Sequence, residues 1–240
     1  MAVKDFGVKG ILPLSMLDWE GRLVSTIFLS GCNLRCPFCH NPSLVLEDKD
    51  LPAVTPEEIQ HILIEKRGWV DGVCITGGEP TINNGIFDLL EFIKSLGYQV
   101  KLDTNATRPS VLAELINSSL VSAIAVDIKT SFHKYSYVTQ RPDLSDKVKK
   151  SIGLLIEAES KDKVEVEFRT TVVPTFVEKD DVLRIAKYLK EAGARRYYLQ
   201  QFNPKTVMVP AISNIRPFDK EFLSDLAAES SKIVPTYLRN

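Results

Sequence analysis

From Leu23 onward the 240-residue chain alternates short apolar runs with longer stretches of helical periodicity, and no other feature narrows its fold as far. Residues 23–30, 73–76, 98–102, 121–128, 164–173 and 196–200 read as six strands. Helices are expected between them. One opens at Thr55 or Pro56, with Glu57 and Glu58 in its first turn and Ile59, Ile62 and Leu63 on its apolar face. Others cover 86–96, ending at Gly97, then 109–116 with proline at its start, 144–159, and 180–191, ending at Gly193. The connections have the length that right-handed crossovers need, so a parallel sheet covered by helices follows. Periodicity leaves open whether that sheet stays flat or curls into a partial barrel.

Before the first of these strands, runs 10–17 and 23–31 flank Asp18-Trp19-Glu20-Gly21 and read as a hairpin with Gly21 in the turn. After the last, a helix near 218–231 and an extended 234–237 are expected. The expected division is a hairpin extension (1–22), a core (23–204) and a C-terminal extension packed on it (205–240). Lys plus Arg number 30 and Asp plus Glu 31, a formal net charge of −1, which argues against a general nucleic-acid coat or a polybasic membrane anchor. No run of 18 apolar residues suggests a membrane span, and the first residues lack the apolar stretch of a signal peptide.

The four cysteines are unevenly placed: Cys32, Cys36 and Cys39 fall together and Cys74 stands alone. Disulfides would spread their pairs to close loops, so the cluster points to a metal site in a reducing, cytoplasmic setting. The C-x3-C-x2-C spacing suits an iron–sulfur cluster or zinc. For zinc, His40 is an awkward fourth ligand because it directly follows Cys39. Cys74 sits in the apolar run Gly72-Val73-Cys74-Ile75-Thr76 and reads as a core cysteine. Three cysteines without a convincing fourth would leave one iron of a four-iron cubane open. The loop also follows a strand at its C-terminal end, the active edge of such sheets.

The segment Gly31-Cys32-Asn33-Leu34-Arg35-Cys36-Pro37-Phe38-Cys39 resembles the signature of the radical S-adenosylmethionine (SAM) enzymes. The resemblance implies a partial (β/α)6 barrel and a [4Fe–4S] cluster on Cys32, Cys36 and Cys39, whose open iron chelates the methionine end of SAM. It also implies that Phe38 packs near the adenine. The continuation His40-Asn41-Pro42 is similar to the activating enzymes of glycyl-radical proteins, those of pyruvate formate-lyase and anaerobic ribonucleotide reductase above all.

Later segments agree in order. Thr76-Gly77-Gly78-Glu79-Pro80 permits close backbone approach and adds a carboxylate; alone it is equally a helix-entry turn. It resembles the family's Gly-Gly-Glu-Pro motif, which implies that Gly77, Gly78 and Glu79 receive the methionine amino group. Thr104 and Asn105 end a strand, where they either meet the cofactor or organise a turn. Asp127 and Lys129 share one face of their strand, as a zwitterion grip or an ion pair; the activases imply the former. Glu165, Glu167 and Arg169 share another face. Arg169 resembles an activase cofactor contact, or else it pairs with those glutamates. Gln201 replaces the histidine of pyruvate formate-lyase activase, which favours the ribonucleotide-reductase type and leaves Gln201 as a cofactor or substrate contact.

The implied reaction is one-electron cleavage of SAM, with flavodoxin or ferredoxin as donor. The resulting 5′-deoxyadenosyl radical would take a glycine α-hydrogen from a partner, in the first place anaerobic ribonucleoside-triphosphate reductase. No side chain need serve as a general acid or base. With no cysteine after Cys74, no auxiliary cluster is expected. Two alternatives stand beside this reading: a radical enzyme acting on a small molecule or RNA nucleotide, as carboxydeazaguanine synthase does, and a zinc-stabilised interaction module.

Overall fold

A computed structural model describes residues 5–47 and 49–239 and arranges them around one eight-stranded sheet. The strands are β1 (Val8–Ser15), β2 (Val24–Leu29), β3 (Gly72–Gly77), β4 (Gln99–Thr104), β5 (Ala123–Asp127), β6 (Glu165–Val172), β7 (Tyr197–Gln201) and β8 (Thr236–Arg239). Each pairs with the next in sequence order. Only β1 and β2 are antiparallel, forming the expected hairpin. The six expected parallel strands are present as β2 to β7, and β8 adds a seventh, with Tyr197 opposite Thr236 and Gln200 opposite Arg239. Residues 234–237 alone read only as an extended tail, because their pairing partner lies far away in sequence.

The helices are α1 (Pro42–Val45), α2 (Pro56–Glu65), α3 (Ile86–Ser95), α4 (Pro109–Asn117), α5 (Tyr135–Thr139), α6 (Ser145–Ser160), α7 (Lys179–Ala192) and α8 (Lys220–Ser231). Local chemistry sets several ends. The Thr55 side chain accepts from Glu58 N, and the Glu58 carboxylate accepts from Thr55 N, a reciprocal cap that opens α2. Gly193 takes φ +93° and stops α7.

Strand alternation sorts side chains between two environments. Ile27, Leu29, Val73, Ile75, Val100, Leu102, Ile124, Val126, Val166 and Phe168 are buried in the main core together with the helices. Their alternates, including Thr26, Phe28, Cys74, Lys101, Asp103, Asp127, Glu167 and Arg169, turn to the other face. That face is concave. Tyr198 on β7 donates to Glu20 Oε2 at 3.0 Å, and Arg239 on β8 donates to the Leu17 carbonyl at 2.6 Å. These contacts join the two ends of the strand order, so the sheet curls into a partial barrel.

The hairpin turn fills the barrel's lower end. Trp19 is 1% exposed and packs on Val24, Cys74 and Ala123. Gly72 leaves room for it, since a Cβ there would lie 3.1 Å from the indole and 2.7 Å from Gln99 O. Cys74 is therefore enclosed at the floor, away from the other cysteines. Among the described residues, no helix is long and apolar enough to cross a membrane.

Candidate active site

Gly31 (φ +81°) ends the extended run of β2 and turns the chain into the cysteine loop. Cys32, Cys36 and Cys39 line a single cavity of about 570 Å³ at the C-terminal ends of the parallel strands. Phe38, Gly77, Gly78, Thr104, Asn105, Asp127, Lys129, Arg169 and Gln201 line the same cavity. Residues spread over 170 positions of sequence are thus brought together by six strands, β2 to β7.

Burial raises the Cys32 thiol to about 11 and that of Cys36 to about 12, with Lys129 opposing both shifts. Metal binding must therefore displace protons. The donor set fits a cluster: three soft ligands face one cavity, beside a cation that compensates thiolate charge. Among the described residues, no three His, Cys, Asp or Glu side chains converge tightly enough for a single metal ion. A cubane is held at its corners, so its thiolates stand farther apart.

Residues 202–215 cover the loop. Leu34, Cys36 and Phe38 pack with Phe202 and Ile212, flanked by Val207 and Ile215. Val209 N donates to Pro37 O at 3.0 Å, and the Phe38 ring lies 5.8 Å from that of Phe176. The site's roof therefore comes from the segment that follows β7.

The two glycines serve the backbone first. A Cβ on Gly78 would lie 1.9 Å from Gly31 O, and one on Gly77 2.4 Å from Leu29 O. Their absence lets Gly78 N reach Leu29 O at 2.9 Å and Glu79 N reach Gly31 O at 2.8 Å. Asn41 Nδ2 donates to Gly77 O at 3.1 Å.

Glu79 departs from expectation. It is wholly buried and does not line the cavity. Its Oε1 accepts from Thr81 N (3.0 Å), Thr81 Oγ1 (2.5 Å) and Thr104 Oγ1 (2.7 Å), and its Oε2 from Asn105 N (2.6 Å). Burial raises its pKa against those donors. In this structure Glu79 braces the loops that follow β3 and β4. It also occupies the Thr104 hydroxyl.

Charges alternate along the concave face. Lys101, with no exposed surface, lies 3.0 Å from Asp103 Oδ1 and 3.6 Å from Glu167 Oε2, and donates to Asp18 O at 2.5 Å. Arg169 reaches Asp103 Oδ2 at 3.0 Å and Asp127 Oδ1 at 2.9 Å, and Lys129 meets Asp127 Oδ2 at 3.3 Å. Burial favours neutral Asp103 and Asp127, but Arg169 outweighs it and holds both below the usual carboxylate range, aided by Lys101 and Lys129 respectively. Burial likewise works against Lys129, yet Asp127 pushes its pKa up. Arg169 thus pairs with aspartates. Glu167 pairs with Arg239 (2.5 Å) and Lys101, and Glu165 with Arg196 (3.6 Å).

Gln201 turns its amide to Phe202 O (3.4 Å) and Phe218 O (3.2 Å). Gln200, in phase with Tyr198, also lines the cavity, as do Asp103 and Arg239. The alternation of Lys101 and Asp103 matches that of Lys129 and Asp127 and was a usable signal for Asp103. Nothing local marks Arg239.

A partial parallel barrel with three cysteines at its C-terminal mouth defines a class, and the sequence comparisons agree. Residues 26–189 match the Radical SAM superfamily, and the chain belongs to that family. Its members use a [4Fe–4S] cluster and SAM. The chain is 35% identical over 234 residues to a Methanocaldococcus jannaschii protein whose name proposes it as a glycyl-radical enzyme activating enzyme; the match covers 97% of this chain and 93% of that one. It is 31% identical to the 7-carboxy-7-deazaguanine synthase of Methanopyrus kandleri, over 49% of this chain and 55% of that one. The crystal structure of Streptococcus suis SuiB bound to S-adenosylmethionine shares the fold, with TM-score 0.66 and 17% identity. The match covers 88% of this chain and 48% of SuiB, so the chain spans about half of that structure's length.

Proposed function

We propose that this radical SAM enzyme activates a glycyl-radical enzyme, with anaerobic ribonucleoside-triphosphate reductase as the first candidate partner. The observation that carries the site assignment is the shared cavity of Cys32, Cys36 and Cys39 with Asp127, Lys129 and Arg169. Cys32, Cys36 and Cys39 would hold the cluster. When bound, cluster and cofactor would supply the one-electron cleavage of SAM. The chain binds and orients. Gly77 and Gly78 present backbone groups, and Asp127, Lys129 and Arg169 offer one carboxylate and two cations to a ligand bearing an ammonium and a carboxylate. Phe38 supplies an apolar surface for the adenine, and residues 202–215 exclude water from the loop. Flavodoxin or ferredoxin is the proposed electron donor, and the cytoplasm, where thiols stay reduced, the proposed setting.

The His40-Asn41-Pro42 continuation and similarity over nearly the whole length of the M. jannaschii protein support an activase. A small-molecule reaction like that of carboxydeazaguanine synthase is the second reading, favoured by the M. kandleri match over half the chain. The reconstituted enzyme, reduced with SAM and incubated with purified reductase, is expected to generate a glycyl-radical doublet by electron paramagnetic resonance. Deoxyadenosine without that signal, accompanied by formation of a carboxydeazaguanine product, would favour the second reading.

A further inference from the structure

Asn105 stands at the end of β4 and is 4% exposed. Its Oδ1 accepts from Thr107 N at 3.1 Å and Thr107 Oγ1 at 2.7 Å. A backbone N–H only donates, so this bond fixes which end of the amide is oxygen. Nδ2 therefore points the other way. It donates to Asn33 Oδ1 at 2.9 Å and to Cys32 Sγ at 3.9 Å. Asn33 is itself held, its Nδ2 donating to Thr107 Oγ1 at 2.7 Å. Glu79 anchors the Asn105 backbone from behind. Leu34 N supplies a second donor to the same sulfur, at 3.4 Å.

A buried amide locked by Thr107 and Asn33, with an N–H aimed at a sulfur, is built to polarise that sulfur. Donors to a cluster thiolate draw electron density from it and stabilise the reduced state, which raises the potential. We infer that Asn105 tunes the reduction potential of a cluster held at Cys32, acting as a positioning residue through that sulfur rather than by touching SAM. The inference rests on the assignment of Cys32 to the cluster and is independent of the partner's identity.

The test is a redox titration of reconstituted protein without SAM or partner, followed by electron paramagnetic resonance. Asn105→Ala and the similarly sized Asn105→Leu are expected to keep full iron content and to shift the midpoint to more negative potential. SAM affinity, measured separately on the oxidised protein, is expected to stay within about twofold of wild type. An unchanged midpoint in an iron-replete variant overturns the inference, and a SAM affinity that falls tenfold at unchanged midpoint assigns Asn105 to the cofactor instead. Loss of iron in Cys32→Ala, run alongside, tests the cluster assignment separately.

Discussion

Arg169 Nη2 lies 3.0 Å from Asp103 Oδ2, joining β6 to β4 across the concave face while its Nε holds Asp127 on the strand between. One buried cation thereby keeps a buried carboxylate, Asp103, and a partly buried one, Asp127, ionised. Removing it should cost about 3 kcal/mol, because Asp103 stays buried with only Lys101 beside it while Asp127 keeps Lys129 and partial access to solvent. Urea unfolding of Arg169→Met at neutral pH checks this. The pH dependence has a definite sign. In the wild type both folded pKa values lie below the unfolded value of about 3.9, so their stabilisation is present above that pH and is lost as pH falls through the folded values. In the variant the folded values rise, so acidification from neutral pH should narrow its deficit.

Metal loading should depend steeply on pH. With the thiols of Cys32 and Cys36 raised to about 11 and about 12, each must lose a proton to coordinate. The equilibrium constant for cluster binding on reconstitution, followed by iron–thiolate charge-transfer absorbance, should rise about tenfold per pH unit for each of these thiols between pH 6 and 9. Cys32→Ser and Cys36→Ser should each remove about one proton from that dependence.

Two glycine-to-alanine changes should move stability in opposite directions. At Gly78 the new methyl meets Gly31 O at 1.9 Å, and the crossing of the two loops must open, costing about 3 kcal/mol and reducing retained iron. At Gly153, on the exposed side of α6, nothing lies within 4 Å, and the helix should gain about 1 kcal/mol. Thermal melts and iron analysis of the two proteins read out the contrast.

Trp19 tests the floor plug. Trp19→Ala should cost about 3–5 kcal/mol, as expected for emptying a buried aromatic site. Among the described residues, the buried indole Nε1 has no hydrogen-bond partner. Trp19→Phe should therefore cost less than about 1.5 kcal/mol, since no bond is broken. Chemical denaturation of both variants checks the ordering.

Much of this arrangement was legible in the sequence, for reasons visible at particular residues. Thr55, Pro56 and Glu58 announce the start of α2 through purely local bonds. The two-residue period placed Asp127 with Lys129, and the structure joins them at 3.3 Å. Proximity that depends on the far side of the barrel was not legible. Arg169 answers to Asp103 on another strand, and Arg239 to Glu167 and Leu17. The partners of Glu79 were hidden for a related reason: a carboxylate after two glycines looks available until the β4 loop is folded against it. Gln201 lies at a strand end, where parity no longer fixes direction, and its partner Phe218 is 17 residues away.

The covering segment 202–215 has a consequence for the order of events in the cell. The ribosome delivers Cys39 long before it delivers Phe202 and Ile212. During that interval the thiols lack the cover this segment provides. Once it docks through Val209 and Pro37, one side of the cysteine loop is packed, and Cys32, Cys36 and Cys39 are reached through the cavity at the strand ends. The linear order of the polypeptide therefore makes the cover the last part of the site to be put in place.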